Sequence, residues 1–192
     1  MASHRVHHFA CSCVDMLMVG VSSSDYAPRA GAAASVREWR SHFGAWCIVS
    51  SPLILSFDLA NSTIMDQVWP FVANPEAIAI NQVWAGHPGR QVLLNSTLQI
   101  WTKPTRTGNA VLVVNMGRPT TAPIDVTIDL ATIAAELPKD ASVRDVWTHK
   151  AAGNAVRGLY TVRALGSHDS SFLLFGPPPP PPPQVPVRSQ SM

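Results

Sequence analysis

Cysteine is scarce in this 192-residue chain, and its three copies make no even framework for disulfides. Cys11 and Cys13 lie one residue apart, just after His4, His7 and His8, but their spacing fits no standard zinc pattern. Neither a metal nor a cofactor is expected. Long apolar runs are missing too, since none approaches the ~20 residues of a membrane span. The first apolar stretch is broken by Ser12 and Asp15 and shows no clean cleavage site, so no signal peptide is legible and no compartment is assigned. A net charge of +2, without a long Lys/Arg run, leaves no basic stripe to track phosphates. Nucleic acid and membranes are therefore not expected partners.

What is present is apolar content of 46%, enough for one core or two small ones. Ser35-Val36-Arg37-Glu38 has the spacing of a capping box and predicts a helix start. Trp39, Phe43, Trp46 and Cys47 then recur on one helical face, which needs a surface to bury against. Pro52 ends that helix, and Leu53 to Phe57 follows as a continuous apolar run of the kind a parallel strand covered on both faces shows. Asp58 is the first charge after it. An aspartate at the C-terminal end of such a strand either faces a ligand at the mouth of an α/β sheet or barrel or caps the next turn, and both readings stand.

Upstream, Met16 to Gly20 is a second short apolar run, so strand, helix and strand spell a βαβ unit. Asn61-Ser62-Thr63 starts a second helix with Met65, Val68, Trp69 and Val72 on its buried side, and Asn74-Pro75-Glu76 opens a third. After Gly86-His87-Pro88-Gly89 the pattern changes to strand-like runs separated by Gly, Pro and Asn, with one helical hint near Leu130 to Glu136. About seven strands are expected, in an antiparallel sandwich. The fold class is α/β plus all-β, divided into residues 1–88, 89–176 and a tail of 177–192. That tail opens with seven consecutive prolines and predicts an extended segment, either a spacer or a dock for a polyproline-reading domain.

Three ordered motifs carry a resemblance: Trp39-Arg40-Ser41-His42-Phe43-Gly44-Ala45-Trp46, then Ser51-Pro52-Leu53 through Asp58-Leu59, then Ala77-Ile78-Ala79-Ile80-Asn81-Gln82. Together with Val143 to Lys150, they resemble the C-terminal half of the α-galactosidases of glycoside hydrolase family 27, the melibiase group. The resemblance covers about residues 14 to 176. It implies the last two strands of a (β/α)8 barrel, at Met16 to Val19 and Leu53 to Phe57, followed by a β-sandwich from about Gln91. It also implies a galactoside substrate and removal of terminal α-galactose with retention, which needs two carboxylates about 5 to 5.5 Å apart.

The family's Lys-x-Asp nucleophile motif and its Arg-x-x-x-Asp acid/base motif are not present in this sequence, so no catalytic residue is assigned and the chain alone is expected to be inactive. Both residues would lie upstream of Met1. The resemblance places Met16 in the sugar pocket with Asp15 beside it, and matches Asp58 to the aspartate at the mouth of strand eight. Met16 as ordinary core stands as the other reading. Asp15 and Asp58, on neighbouring strands ~4.8 Å apart, have the look of a retaining pair, but the resemblance assigns both catalytic roles elsewhere. Family members are usually secreted, lysosomal or vacuolar, which would make Asn61-Ser62-Thr63 and Asn95-Ser96-Thr97 glycosylation sequons. A second function remains: a non-catalytic carbohydrate-binding or interaction protein, with Trp101 and Trp147 as aromatics that could stack on a sugar.

Overall fold

The computed structural model describes residues 17–21, 35–118 and 121–177. Asp15, Met16 and all but the first proline of the tail lie outside these residues.

Helix α1 spans Val36–Ile48 and opens on the capping box: Ser35 Oγ accepts the Glu38 N–H at 3.3 Å, and the Glu38 carboxylate accepts the Ser35 N–H at 2.6 Å. Asn61 caps α2 (Ser62–Val72) by accepting from Ile64, and Asn74 caps α3 (Pro75–Gln82), with Pro75 where a missing N–H costs nothing. Trp69, expected on the buried side of α2, is 54% exposed. Val68 and Val72 are buried as expected and Met65 is partly buried, while Phe71 takes the place expected for Trp69, which lies about 100° around the helix from Val68.

The two expected parallel strands shrink to one parallel bridge between Leu17 and Leu55, with the Leu17 N–H on the Ile54 carbonyl at 3.3 Å. Leu17 and Val19 are fully buried, whereas Ile54 is 57% exposed, so the second run is not covered on both faces. Among the described residues each segment has only the other for a parallel neighbour, too little to extend the ladder.

Eight strands follow among the described residues: β1 (Arg90–Leu94), β2 (Leu98–Pro104), β3 (Asn109–Asn115), β4 (Ile124–Asp129), β5 (Ser142–Asp145), β6 (Lys150–Asn154), β7 (Leu159–Leu165) and β8 (Ser170–Gly176). A short helix, α4 (Leu130–Ile133), joins β4 to β5. One antiparallel sheet runs β1-β2-β3-β8-β5-β6 and the other pairs β4 with β7. The strand beyond the expected seven is β6: Lys-Ala-Ala-Gly-Asn has no apolar alternation and pairs at the sheet edge with β5 alone.

The larger sheet is a middle layer. In β3, Ala110 and Leu112 join one hydrophobic cluster with Phe43, Cys47 and Ile48 of α1, while Val111 and Val113 join another with Val126, Ile128 and Val162 of the small sheet. β8 divides the same way, Phe172 toward the helices and Leu173 and Phe175 toward the small sheet. Strands buried on both faces read as continuous apolar runs, which is why these two lack alternation. The α1 stripe is therefore covered by the sheet: Phe43 is 1% exposed. Contact is close enough that a Cβ on Gly44 would stand 2.9 Å from Leu112 Cδ1 and 3.0 Å from Trp147 Cζ2.

Polar bonds hold the layers in register. Asn74 Nδ2 donates to the Val146 carbonyl at 2.8 Å, and Asn81 Nδ2 donates to the Trp46 and Ser51 carbonyls at 3.2 and 2.8 Å, closing the end of α1. Glu76 takes a bidentate pair from Arg144 at 2.9 and 2.7 Å and a third contact from His149 Nδ1 at 2.9 Å. The Arg144 hydrogen bonds outweigh burial and hold the Glu76 carboxyl below the usual range. From β2, the fully buried Lys103 donates to Ser50 Oγ at 2.6 Å, to the Asn81 carbonyl at 3.0 Å and to the Ile80 carbonyl. Those carbonyls belong to the C-terminal turn of α3, where a cation is favoured.

Candidate substrate-binding site

Of the three residues the sequence nominates, Asp58 alone is described. It is exposed at the end of the bridge segment, where its Oδ1 accepts the Ala60 N–H at 2.9 Å and its carbonyl accepts the Asn61 N–H at 3.1 Å. That geometry is a turn-forming aspartate leading into the Asn61 cap of α2. The carboxylate retains a second oxygen for a ligand, so the capping role is shown and the binding role stays compatible with it. Whether Asp15 and Met16 stand beside Asp58 falls outside the described residues.

The segment that leads to them is firmly positioned. The Met18 N–H donates to His42 Nε2 at 3.2 Å, Trp39 Nε1 donates to the Val21 carbonyl at 3.3 Å, and Ser56 Oγ donates to the Leu17 carbonyl. An acceptor lone pair on Nε2 requires a neutral imidazole carrying its proton on Nδ1. Burial favours the same state, holding His42 below its ordinary value, and its ring packs on Trp46 at 3.9 Å between centroids. The Trp39-to-Trp46 motif thus does structural work, holding residues 17–21 against α1. Cys47 is plain core: it is fully buried, and burial pushes its thiol up, out of reach of thiolate chemistry. Among the described residues no group of three or more His, Cys, Asp or Glu side chains could hold a metal ion. No described helix is long and apolar enough to cross a membrane.

The family described as "Alpha galactosidase C-terminal beta sandwich domain" matches residues 95–175. That stretch is a C-terminal β-sandwich domain of the α-galactosidase type. The match takes in all of β2 to β7 and nearly all of β8, the middle and outer layers of the fold. Alpha-galactosidase 3 of Arabidopsis thaliana is 28% identical over 166 residues, covering 85% of this chain and 35% of its own length. A probable α-galactosidase of Dictyostelium discoideum is 30% identical over 166 residues, covering 85% of this chain and 39% of its own. The chain thus spans rather more than a third of the length of these relatives. Among solved structures, α-galactosidase I from Mortierella vinacea superposes with a TM-score of 0.67 at 25% identity, covering 85% of this chain and 38% of that one. An α-galactosidase from Saccharomyces cerevisiae, solved with raffinose, shares the fold with a TM-score of 0.68 at 17% identity, covering 86% of this chain and 46% of that one. The α-galactosidase likeness therefore reaches beyond the sandwich into the helical layer.

Proposed function

We propose that this chain is the C-terminal part of a retaining α-galactosidase, hydrolysing terminal α-galactosyl residues when the rest of the barrel is supplied, and inactive alone. The observation that supports this reading is the extent of the likeness. A match confined to the sandwich would suit any protein carrying that module, whereas the Mortierella enzyme covers 85% of this chain, well beyond residues 95–175. In this proposal Asp58, with Asp15 and Met16 beside it, faces galactose. The nucleophile and acid/base come from residues whose motifs the sequence does not contain, and without them a double displacement has no covalent step. Docking of the proline run on an aromatic groove rests on composition alone.

The test is an aryl α-galactoside assay on the purified chain, together with the genomic sequence upstream of the Met1 codon. No hydrolysis above buffer, and an open frame encoding the remaining βα units, are the expected results. Turnover that survives stringent purification and disappears in Asp58→Asn would overturn the assignment of catalysis to other segments.

A further inference from the structure

The two sequons of this chain sit in different local structures. Asn95-Ser96-Thr97 fills the hairpin turn between β1 and β2. Asn95 Oδ1 accepts three hydrogen bonds there, from the Thr97 N–H at 2.9 Å, the Thr97 hydroxyl at 3.1 Å and the Leu98 N–H at 2.8 Å. Backbone bonds close the same turn: the Asn95 N–H donates to the Leu98 carbonyl at 3.0 Å, and the Thr97 carbonyl accepts the Met116 N–H at 2.8 Å.

An amide nitrogen is a poor nucleophile, because its lone pair is shared with the carbonyl. Three donors on Oδ1 draw charge onto that oxygen and make an Nδ2 proton easier to lose, as bond formation from this nitrogen requires. The Thr97 hydroxyl is the donor that the third residue of a sequon supplies. Nδ2 itself makes no hydrogen bond among the described residues. Residues 93–97 are all exposed, at the end of an edge strand with no outer neighbour among the described residues, so a bulky group has room.

Asn61-Ser62-Thr63 is arranged otherwise. Asn61 Oδ1 accepts from the Ile64 N–H at 3.2 Å as the cap of α2, and Thr63 lies inside the first turn of that helix. The two turns also differ in when they form. The bonds to Asn95 Oδ1 span three residues or fewer, so they form on a chain still being made. Helix α2, at 11 residues, is marginal by itself, and its cap waits for the tertiary fold.

We propose that Asn95 is an N-glycosylation site and is modified in preference to Asn61. Nδ2 displaces the diphosphate from C1 of a polyprenyl-diphosphate-linked oligosaccharide. The N–C1 bond forms, the C1–O bond breaks, the diphosphate leaves with that electron pair, and one Nδ2 proton passes to a base of the transferase. Leu93, Leu94 and Met116 are exposed around the turn, so the glycan also shields apolar surface at the sheet edge. The proposal needs a compartment that holds the transferase and otherwise rests on the turn. Hydrolysis by the chain, or its absence, bears on the α-galactosidase reading alone.

The full chain, fused behind a secretion signal and a short tag with its own Asn-Ala-Thr sequon, is expressed in eukaryotic cells. Whole-cell extracts are used so that misfolded chains are counted too, and only molecules whose tag carries a glycan are scored. Peptide-N-glycosidase treatment in heavy-oxygen water, followed by peptide mass spectrometry, marks each occupied asparagine. Asn95 should be marked in most molecules and Asn61 several-fold less often. Thr97→Ala, which keeps both backbone donors to Oδ1, should abolish the mark at Asn95, and Thr97→Ser should retain it. An unmarked Asn95 in tag-glycosylated molecules, an Asn61 marked at least as often, or a mark at Asn95 that survives Thr97→Ala would each overturn the proposal.

Discussion

Lys103 lies fully buried between β2 and the end of α3, and two effects compete over its proton. Its three acceptors favour the ammonium, while loss of hydration disfavours it. Burial wins and takes the amine from 10.5 down to about 8, with the buried Cys47 thiol pulling slightly the other way. The sign of the linkage follows. Between pH 8 and 10.5 the unfolded chain holds the lysine proton and the folded chain has released it, so ν for the unfolded state is the larger and stability rises with pH. Below about pH 8 both states are protonated and the burial penalty is fully present. Integrated over that window, the gain is about 3 kcal/mol. Urea melts of the native chain and of Lys103→Met at several pH values from 7.5 to 10.5 read it directly, since other titrating groups are common to both and cancel. The native curve should gain about 3 kcal/mol on the variant across the series. Lys103→Arg, whose guanidinium does not release its proton in this range, should track the methionine variant in slope. Parallel curves for native and methionine proteins would refute the reasoning. A native chain that loses ground as pH rises would show that the three acceptors outweigh the lost hydration.

Glu76 gives the opposite dependence. Its folded carboxyl is held below 4.5, so its contribution is fully present above that value and is lost as pH falls through the folded one; Glu76→Gln should cost about 1 kcal/mol at pH 7, a difference that shrinks in melts at successively lower pH. Gly44→Val should destabilise by about 1–3 kcal/mol, because the new side chain meets Leu112 and Trp147 where α1 rests on the sheet; an unchanged denaturant midpoint would mean that α1 does not pack there. Limited proteolysis should leave α1 to α3 in one resistant fragment with the sandwich; a resistant core beginning near Arg90 would show that the helices come away from the sheet.

Local signals were legible without coordinates. The Ser35–Glu38 box, the Asn61 and Asn74 caps and the Pro75 start are set by atoms within one turn, and each formed where its spacing said it would. Within the motifs that point to α-galactosidases, His42 and Asn81 instead bond across the fold, to Met18 and to Trp46 and Ser51, so their roles were not legible from neighbouring residues. Asp58 was ambiguous between cap and ligand, and the cap is visible because its partner, Ala60, is two residues away.

What lay out of reach was everything that depends on which face meets which. The sequence by itself determined where helices begin, that β3 and β8 are apolar throughout and that α1 carries a stripe in need of cover. Those local patterns did not say which surface supplies the cover. Only the tertiary structure decided that the two needs answer each other, with α1 on one face of β3 and β8 and the β4–β7 pair on the other. The same holds for Lys103, which reads as an unremarkable strand residue until its carbonyl partners, more than twenty positions away, close around it. Period and capping are written into neighbouring residues, whereas the choice of covering surface depends on contacts between segments far apart in the chain, which no local pattern encodes.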